Sequence, residues 1–217
     1  MVTESHLAAN LTGPMSTVFA GLWLADNVGS FFEGGGAAFY HSPIQPQGLG
    51  KSCLGWASWS NFIADREYDI RGYTSLYYAA HMINLEWVQH RSGMHEMFLS
   101  SVEIKDGDGN QLVTSYAVHR PDGEWALMLV NRDENTPHSV RVAFEDSGKR
   151  NGYFSGRVEV TTFGSEQYVW INDGLNSRAD PDGPPAGTAV EANGQTTYGL
   201  PKASITVLRG RVKGLAE

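Results

Sequence analysis

In the first part of the chain, hydrophobic positions recur at spacings of three and four. Met15, Val18, Phe19, Leu22 and Trp23 begin such a stripe, and Val28, Phe31 and Phe32 continue it. That spacing puts the apolar side chains on one face of an α-helix, and Thr12-Gly13-Pro14 ahead of it supplies a start with proline in the first turn. Gly34-Gly35-Gly36 ends the helix. A second stripe, Leu76, Tyr77, Ala80, Ile83 and Trp87, predicts a helix from about Tyr73 to Val88. Val2-Thr3-Glu4 reads as the end of a short strand before the first helix, and Ala37-Ala38-Phe39-Tyr40 as a short buried strand after it. Pro43, Pro46, Gly48 and Gly50 then forbid regular structure and open a long loop that lasts to about residue 70. Strand, helix, strand, helix is the order of parallel βα units.

After Gly93 the period changes to two. Met97 to Ile104, Leu112 to Val118, Glu124 to Asn131, Ser139 to Phe144, Val158 to Phe163, Gln167 to Ile171 and Ser204 to Val212 read as strands. Asp106-Gly107-Asp108-Gly109-Asn110 and Arg120-Pro121-Asp122-Gly123-Glu124 lie between them as turns. Short strands at such spacing predict an antiparallel sandwich. The proline- and glycine-bearing segment 173–201 reads as a long surface connection before the closing strand. The predicted fold is therefore α/β plus all-β: a partial (β/α) barrel segment of about two βα units over residues 1–92, then a β-sandwich over 93–217.

Composition narrows the function. Of 217 residues, 24 are acidic and 16 basic, a net charge of −8 with no basic run, which argues against nucleic acid as a partner. Cys53 is the one cysteine, so an internal disulfide and a cysteine-based zinc site are excluded; it leaves the compartment open, secretion as part of a longer parent included. No apolar run approaches the roughly 20 residues of a membrane span, so the chain is expected to be soluble. No G-x-S-x-G elbow occurs, which disfavours a serine esterase.

Val2-Thr3-Glu4, the helix Gly13 to Phe32, the run Gly36 to His41, the helix Tyr73 to Val88, Tyr116-Ala117-Val118, Ala126 to Asn131 and Leu200 to Leu208 occur in an order that resembles the C-terminal part of a clan A retaining glycoside hydrolase. Family 39 and the arabinofuranosidase-like families are nearest. The resemblance spans nearly the whole chain and rests on the order of motifs more than on any one. It implies the end of a (β/α)8 barrel plus a C-terminal β-sandwich. It also implies a glutamate after strand 4 as acid/base and one after strand 7 as nucleophile. Glu4 falls at the nucleophile position, and Phe39 to His41 end strand 8, where an aromatic commonly floors the sugar site. Strands 1 to 6, and with them the acid/base, have no counterpart in these 217 residues.

Retaining hydrolysis needs two carboxyl groups about 5–5.5 Å apart, one protonated and one ionised. Glu4 alone cannot do both, and Asp65 is the one candidate stand-in. From the residues alone, Glu4 reads equally as a solvated carboxylate or a neighbour of a helix N-cap. Tyr40, His41, Trp56 and Trp59 are candidate substrate-binding residues, because flat rings offer apolar faces to the C–H faces of a sugar; the competing reading has loop aromatics plugging a barrel edge. Asp106, Asp108 and Asn110 imitate the opening of a calcium loop, but Ala117 stands where the twelfth-position glutamate belongs, so no cofactor is expected beyond a structural calcium at that turn. No histidine spacing points to a metal.

Two functions follow. One is the C-terminal portion of a retaining glycoside hydrolase acting on plant or microbial polysaccharide or oligosaccharide, carrying the nucleophile but lacking the acid/base, and incomplete as an isolated enzyme. The other is a non-catalytic carbohydrate-binding or scaffold module whose sandwich supports a partner domain. The expected partners are carbohydrate and, because parallel strands buried on both faces need neighbours, either copies of the chain or another chain supplying the missing barrel strands.

Overall fold

The computed structural model describes residues 1–2, 5, 13–41, 47–49, 60–145 and 151–215. In chain order its elements are a 3-10 turn at Gly13–Ser16, α1 (Val18–Glu33), β1 (Gln47–Gly48), β2 (Phe62–Ala64), β3 (Ile70–Tyr73) and α2 (Ser75–His81), which continues as a π-helical turn over Met82–Trp87. Then come β4 (Glu96–Phe98), β5 (Val113–His119), β6 (Trp125–Asn131), β7 (His138–Arg141), β8 (Phe144–Glu145), β9 (Asn151–Phe154), β10 (Gly156–Gly164), β11 (Tyr168–Ile171) and β12 (Arg178–Asp182). Last are β13 (Ala186–Ala192), β14 (Thr197–Leu200), β15 (Ser204–Gly210) and β16 (Val212–Lys213). The chain divides into two compact units. The first comprises Met1–His81 with Phe163–Pro185, and the second Met82–Thr162 with Ala186–Glu217.

In the first unit, α1 begins later than the proline predicts. Thr17 is its N-cap, with an extended backbone and a hydroxyl that accepts the Phe19 amide at 3.3 Å. Val2 pairs in parallel with Phe39 on the far side of α1: the Val2 amide donates to the Ala38 carbonyl and the Tyr40 amide to the Val2 carbonyl, each at 3.0 Å. A parallel pair joined through a helix is the βα arrangement that the hydrophobic pattern predicts. The helices α1 and α2 meet at Gly21, whose amide donates to the Ser75 hydroxyl at 3.2 Å, while that hydroxyl donates to the Thr17 carbonyl at 2.7 Å. A Cβ on Gly21 would lie 2.7 Å from the Ser75 carbonyl oxygen.

The region expected to be one long loop holds a small sheet. β1 runs parallel to β2, and β2 forms an antiparallel pair with β3. Two further strands of this unit, β11 and β12, form an antiparallel hairpin inside the segment from residue 163 to 185.

The second unit is built on a six-stranded sheet of order β13-β10-β15-β6-β5-β4. Its β13–β10, β15–β6, β6–β5 and β5–β4 ladders are antiparallel, as in Ser204↔Asn131 and Tyr116↔Met128. One face carries Val113, Ala117, Leu127, Leu129, Val158 and Leu208. These pack with Phe154, Tyr198 and Leu200 from the smaller sheets β16-β9-β8 and β14-β7, giving the sandwich. The central strands are buried almost without interruption, β6 from Ala126 to Asn131 and β15 from Ser204 to Leu208, where period-two alternation would leave every second residue in water. The π-helical turn accounts for part of this: Trp87 is fully buried, and its indole N–H donates to the Tyr116 carbonyl at 3.0 Å.

The sequence reading of 173–201 as a surface connection is corrected: β12, β13 and β14 lie within it. β13 is an edge of the large sheet, and β12 pairs with β11 through a register shift between Tyr168 and Trp170, so Pro181 falls where a regular ladder is not required.

The turn at Asp106 is a closed structure. Its carboxylate accepts the Asp108 and Asn110 amides at 2.9 and 2.8 Å and the Asn110 side-chain amide at 2.8 Å. Among the described residues no group of three or more histidine, cysteine or acidic side chains is arranged to hold a metal ion, and no helix is long and apolar enough to cross a membrane.

The helix crossing makes an inverted prediction. Glycine inside a helix normally gives way to alanine with a gain of about 1 kcal/mol. Gly21→Ala is expected instead to destabilise the protein by about 1–3 kcal/mol, because the new methyl must displace backbone at Ser75. A urea midpoint that falls supports this, and one that rises contradicts it.

Candidate functional site

The two positions that bracket Thr3 and Glu4 are both held against the Phe39 segment. Val2 pairs with it through the bonds given above, and the Ser5 carbonyl lies 3.1 Å from Nδ1 of His41. His41 is half-buried, whereas Tyr40, next to it, is 57% exposed. Glu4, Trp56 and Trp59 lie outside the described residues. Of the sequence-predicted sugar-site residues, Tyr40 and His41 are therefore described; the strand expected over Ala37 to Tyr40 is reduced to a single bridge at Phe39, and both residues follow it.

A second feature was not legible in the sequence. A groove of about 680 Å³ in the first unit is lined by Asp65, Arg66 and Tyr68 from the β2–β3 connection, by Arg71 from β3 and by Arg178 and Asp182 from β12. One wall is organised by Asp65. Its Oδ1 accepts the amides of Glu67 and Asp69 at 3.0 and 2.9 Å, and its Oδ2 accepts the Arg71 Nε at 2.6 Å. Desolvation pushes this carboxyl up, but the Arg71 guanidinium and the Asp69 and Glu67 amides outweigh it and hold it below its ordinary value. An ionised, fully engaged carboxylate is suited to fixing a turn and not to donating a proton, so Asp65 does not have the character of an acid/base. The turn it fixes carries Tyr68, 72% exposed and at φ 67°, a left-handed conformation uncommon outside glycine.

The other carboxyl of the groove is of the opposite kind. Asp182 accepts the Tyr78 hydroxyl at 3.0 Å and the Tyr73 amide at 3.4 Å, and its own carbonyl accepts the Tyr78 hydroxyl at 2.8 Å. Burial raises its pKa above the ordinary carboxylate value, and the Tyr78 and Tyr73 donors offset only part of that. Tyr78 is itself raised, first by burial and then by the Asp182 charge. Its ring stacks on Phe163 at 4.9 Å and meets Tyr168 edge-on at 6.2 Å. Gly183 must be glycine: at φ 60° it lies so near the Tyr78 ring that a Cβ would sit 2.3 Å from it.

The raised pKa of Asp182 fixes a sign. Between the unfolded value, about 4, and the higher folded value the native state binds the extra proton, so this group's contribution to stability falls as pH rises through that window. The stability difference between wild type and Asp182→Asn is expected to shift in favour of the variant over that window, as read by urea denaturation in parallel pH series. A flat difference contradicts it.

No protein-family model matches the chain, and no curated protein matches it in sequence. Solved structures do match in shape. The thermostable GH51 α-L-arabinofuranosidase of Thermotoga petrophila RKU-1 superposes with a TM-score of 0.57 at 10% identity, over 95% of this chain and 42% of that one. The family 51 α-L-arabinofuranosidase AbfB of Bifidobacterium longum gives 0.55 at 12% identity over 94% and 36%. The catalytic domain of GH30 xylanase C from Talaromyces cellulolyticus gives 0.54 at 14% over 95% and 39%. The chain thus spans about two-fifths of the length of these proteins, and its likeness to them is one of fold.

Proposed function

We propose that the chain is the closing portion of a retaining glycoside hydrolase acting on plant or microbial polysaccharide or oligosaccharide, with residues 1–92 as the barrel segment and Glu4 as the nucleophile. The observation that carries this reading is the parallel pairing of Val2 with Phe39 across α1, with Ser5 reaching His41. In a (β/α)8 barrel the chemistry sits at the C-terminal ends of neighbouring parallel strands, and Glu4 follows Val2 as Tyr40 and His41 follow Phe39. The fold likeness to arabinofuranosidases and a xylanase supports the same substrate class. The acid/base comes from outside these 217 residues, on strands supplied by a further segment, by another chain or by association of copies.

A non-catalytic carbohydrate-binding role is favoured by one observation of its own: the described groove presents an exposed ring and arginines, while its Asp65 carboxylate is wholly engaged.

Aryl glycosides, α-L-arabinofuranosides and β-xylosides among them, test the catalytic reading. The chain alone is expected to be inactive and to gain hydrolysis when combined with a polypeptide carrying the remaining strands. Glu4→Gln should then lower kcat by about a thousandfold or more, as loss of a covalent nucleophile does. Mass spectrometry of the combined enzyme after a 2-deoxy-2-fluoroglycoside should find the label on the Glu4 peptide. Activity unchanged in Glu4→Gln would overturn the assignment.

A further inference from the structure

We propose that the groove between the β2–β3 connection and β12 is a subsite for a carboxylate-bearing sugar, a uronic acid unit, held by Arg66 and Arg178 with Tyr68 as its platform. This deepens the carbohydrate reading above and rests on it.

The charge distribution comes first. The protein is acidic overall at −8, yet three arginines line this one groove. Arg71 is neutralised by Asp65. Arg66 and Arg178 have no ion-pair or hydrogen-bond partner among the described residues, and each is exposed on a different wall, one in the β2–β3 connection and one at the first residue of β12. An arginine fork matches the two oxygens of a carboxylate, and two such forks ask for an anion and not for a hydroxyl. Of the acids in the groove, Asp65 is spent on Arg71 and its turn, and Asp182 is turned to Tyr78 and Tyr73, so neither is free to neutralise the two arginines.

The platform comes second. Tyr68 is among the more exposed large hydrophobic residues of the protein, and its left-handed backbone is over-determined by the bonds that Asp65 makes to residues 67, 69 and 71. Backbone held this way persists where the surrounding structure fixes it. Its effect is that the Tyr68 ring lines the groove from a main chain already fixed, so that the backbone needs no ordering when a sugar face stacks on the ring. Leu175, 54% exposed, adds apolar lining from the segment leading into β12. A planar apolar contact combined with two unpaired guanidinium groups fits an acidic sugar better than a neutral one or a small inorganic anion.

Isothermal titration calorimetry of the full chain at low salt tests this, with trigalacturonate and a glucuronic-acid-branched xylotetraose, each beside its carboxyl-reduced neutral counterpart. At least one acidic member is expected to bind about tenfold more tightly than its counterpart, the size of one charge-assisted contact. That preference should vanish in Arg66→Gln/Arg178→Gln and return in the double lysine variant, while Tyr68→Ala weakens acidic and neutral members alike. All three residues are exposed, so circular dichroism should be unchanged. Equal binding of acidic and neutral members overturns the uronate inference and leaves the carbohydrate reading standing. A preference that survives the double glutamine variant places the site elsewhere and also overturns it. No binding by any saccharide overturns both the inference and the binding role of the groove, whereas the Glu4 assay is decided independently.

Discussion

The first unit depends on one hydroxyl. Ser75 is completely buried, and its Oγ donates to the carbonyl of Thr17, the cap of α1, while accepting the amide of Gly21 one turn further on. A buried hydroxyl without partners would cost about 1–3 kcal/mol; here it finds both an acceptor and a donor at the point where the two helices touch. Glycine at 21 is the condition for that approach. Because Ser75 opens α2, its placement also fixes Tyr78 one turn later, and Tyr78 in turn fixes Asp182 through two hydrogen bonds and leaves room only for glycine at 183. The wall of the groove that carries Asp182 is therefore set by a helix contact remote from it in sequence.

The second unit answers the same constraint with an amide. Asn131, fully buried at the end of β6, donates to the carbonyls of Thr136, Leu200 and Pro201 at 3.3, 3.3 and 2.9 Å and accepts the Asp133 amide at 3.0 Å. It ties the β6–β7 connection to the end of β14 and the connection that follows it. Glu86 does comparable work from the π-helical turn, accepting Arg209 at 3.2 Å and Thr161 at 3.3 Å. Strands covered on both faces can carry the continuous apolar run from Ala126 to Val130 only because such polar groups close the ends of the layer.

Those features explain what was legible in the sequence. The stripes of α1 and α2 and the turn at Arg120 to Glu124, closed by the Gly123 amide on the Arg120 carbonyl at 2.9 Å, depend on residues close together in the chain, and pattern finds such elements. The strands in 173–201 escaped because composition argues against them. Pro181, Pro184, Gly183 and Gly187 look like breakers, and they are accommodated at a bulge, just past a strand end and on an edge. The groove escaped for a different reason. Asp182 reaches Tyr73 and Tyr78 across more than a hundred residues, and no local signal distinguishes it or Arg178 from surface polar residues until β12 is known to belong with the first unit.

Charge separates holding from hydrolysing in this chain. A glycosidase needs one carboxyl free to attack and another free to deliver a proton, and the groove offers neither: Asp65 has spent its lone pairs on two amides and a guanidinium, and Asp182 faces two phenol-bearing residues of its own unit. What the groove does offer is an exposed tyrosine ring and two arginines that lack partners among the described residues, the features on which the binding proposal rests. The cleavage proposed above is assigned instead to the parallel bridge between Val2 and Phe39, beside which the Ser5 carbonyl meets His41. The two proposals ask for different chemistry, recognition by charge in the groove and attack by a single carboxylate at Glu4, and a carboxylate working alone stays silent until a second is brought within about 5 Å of it.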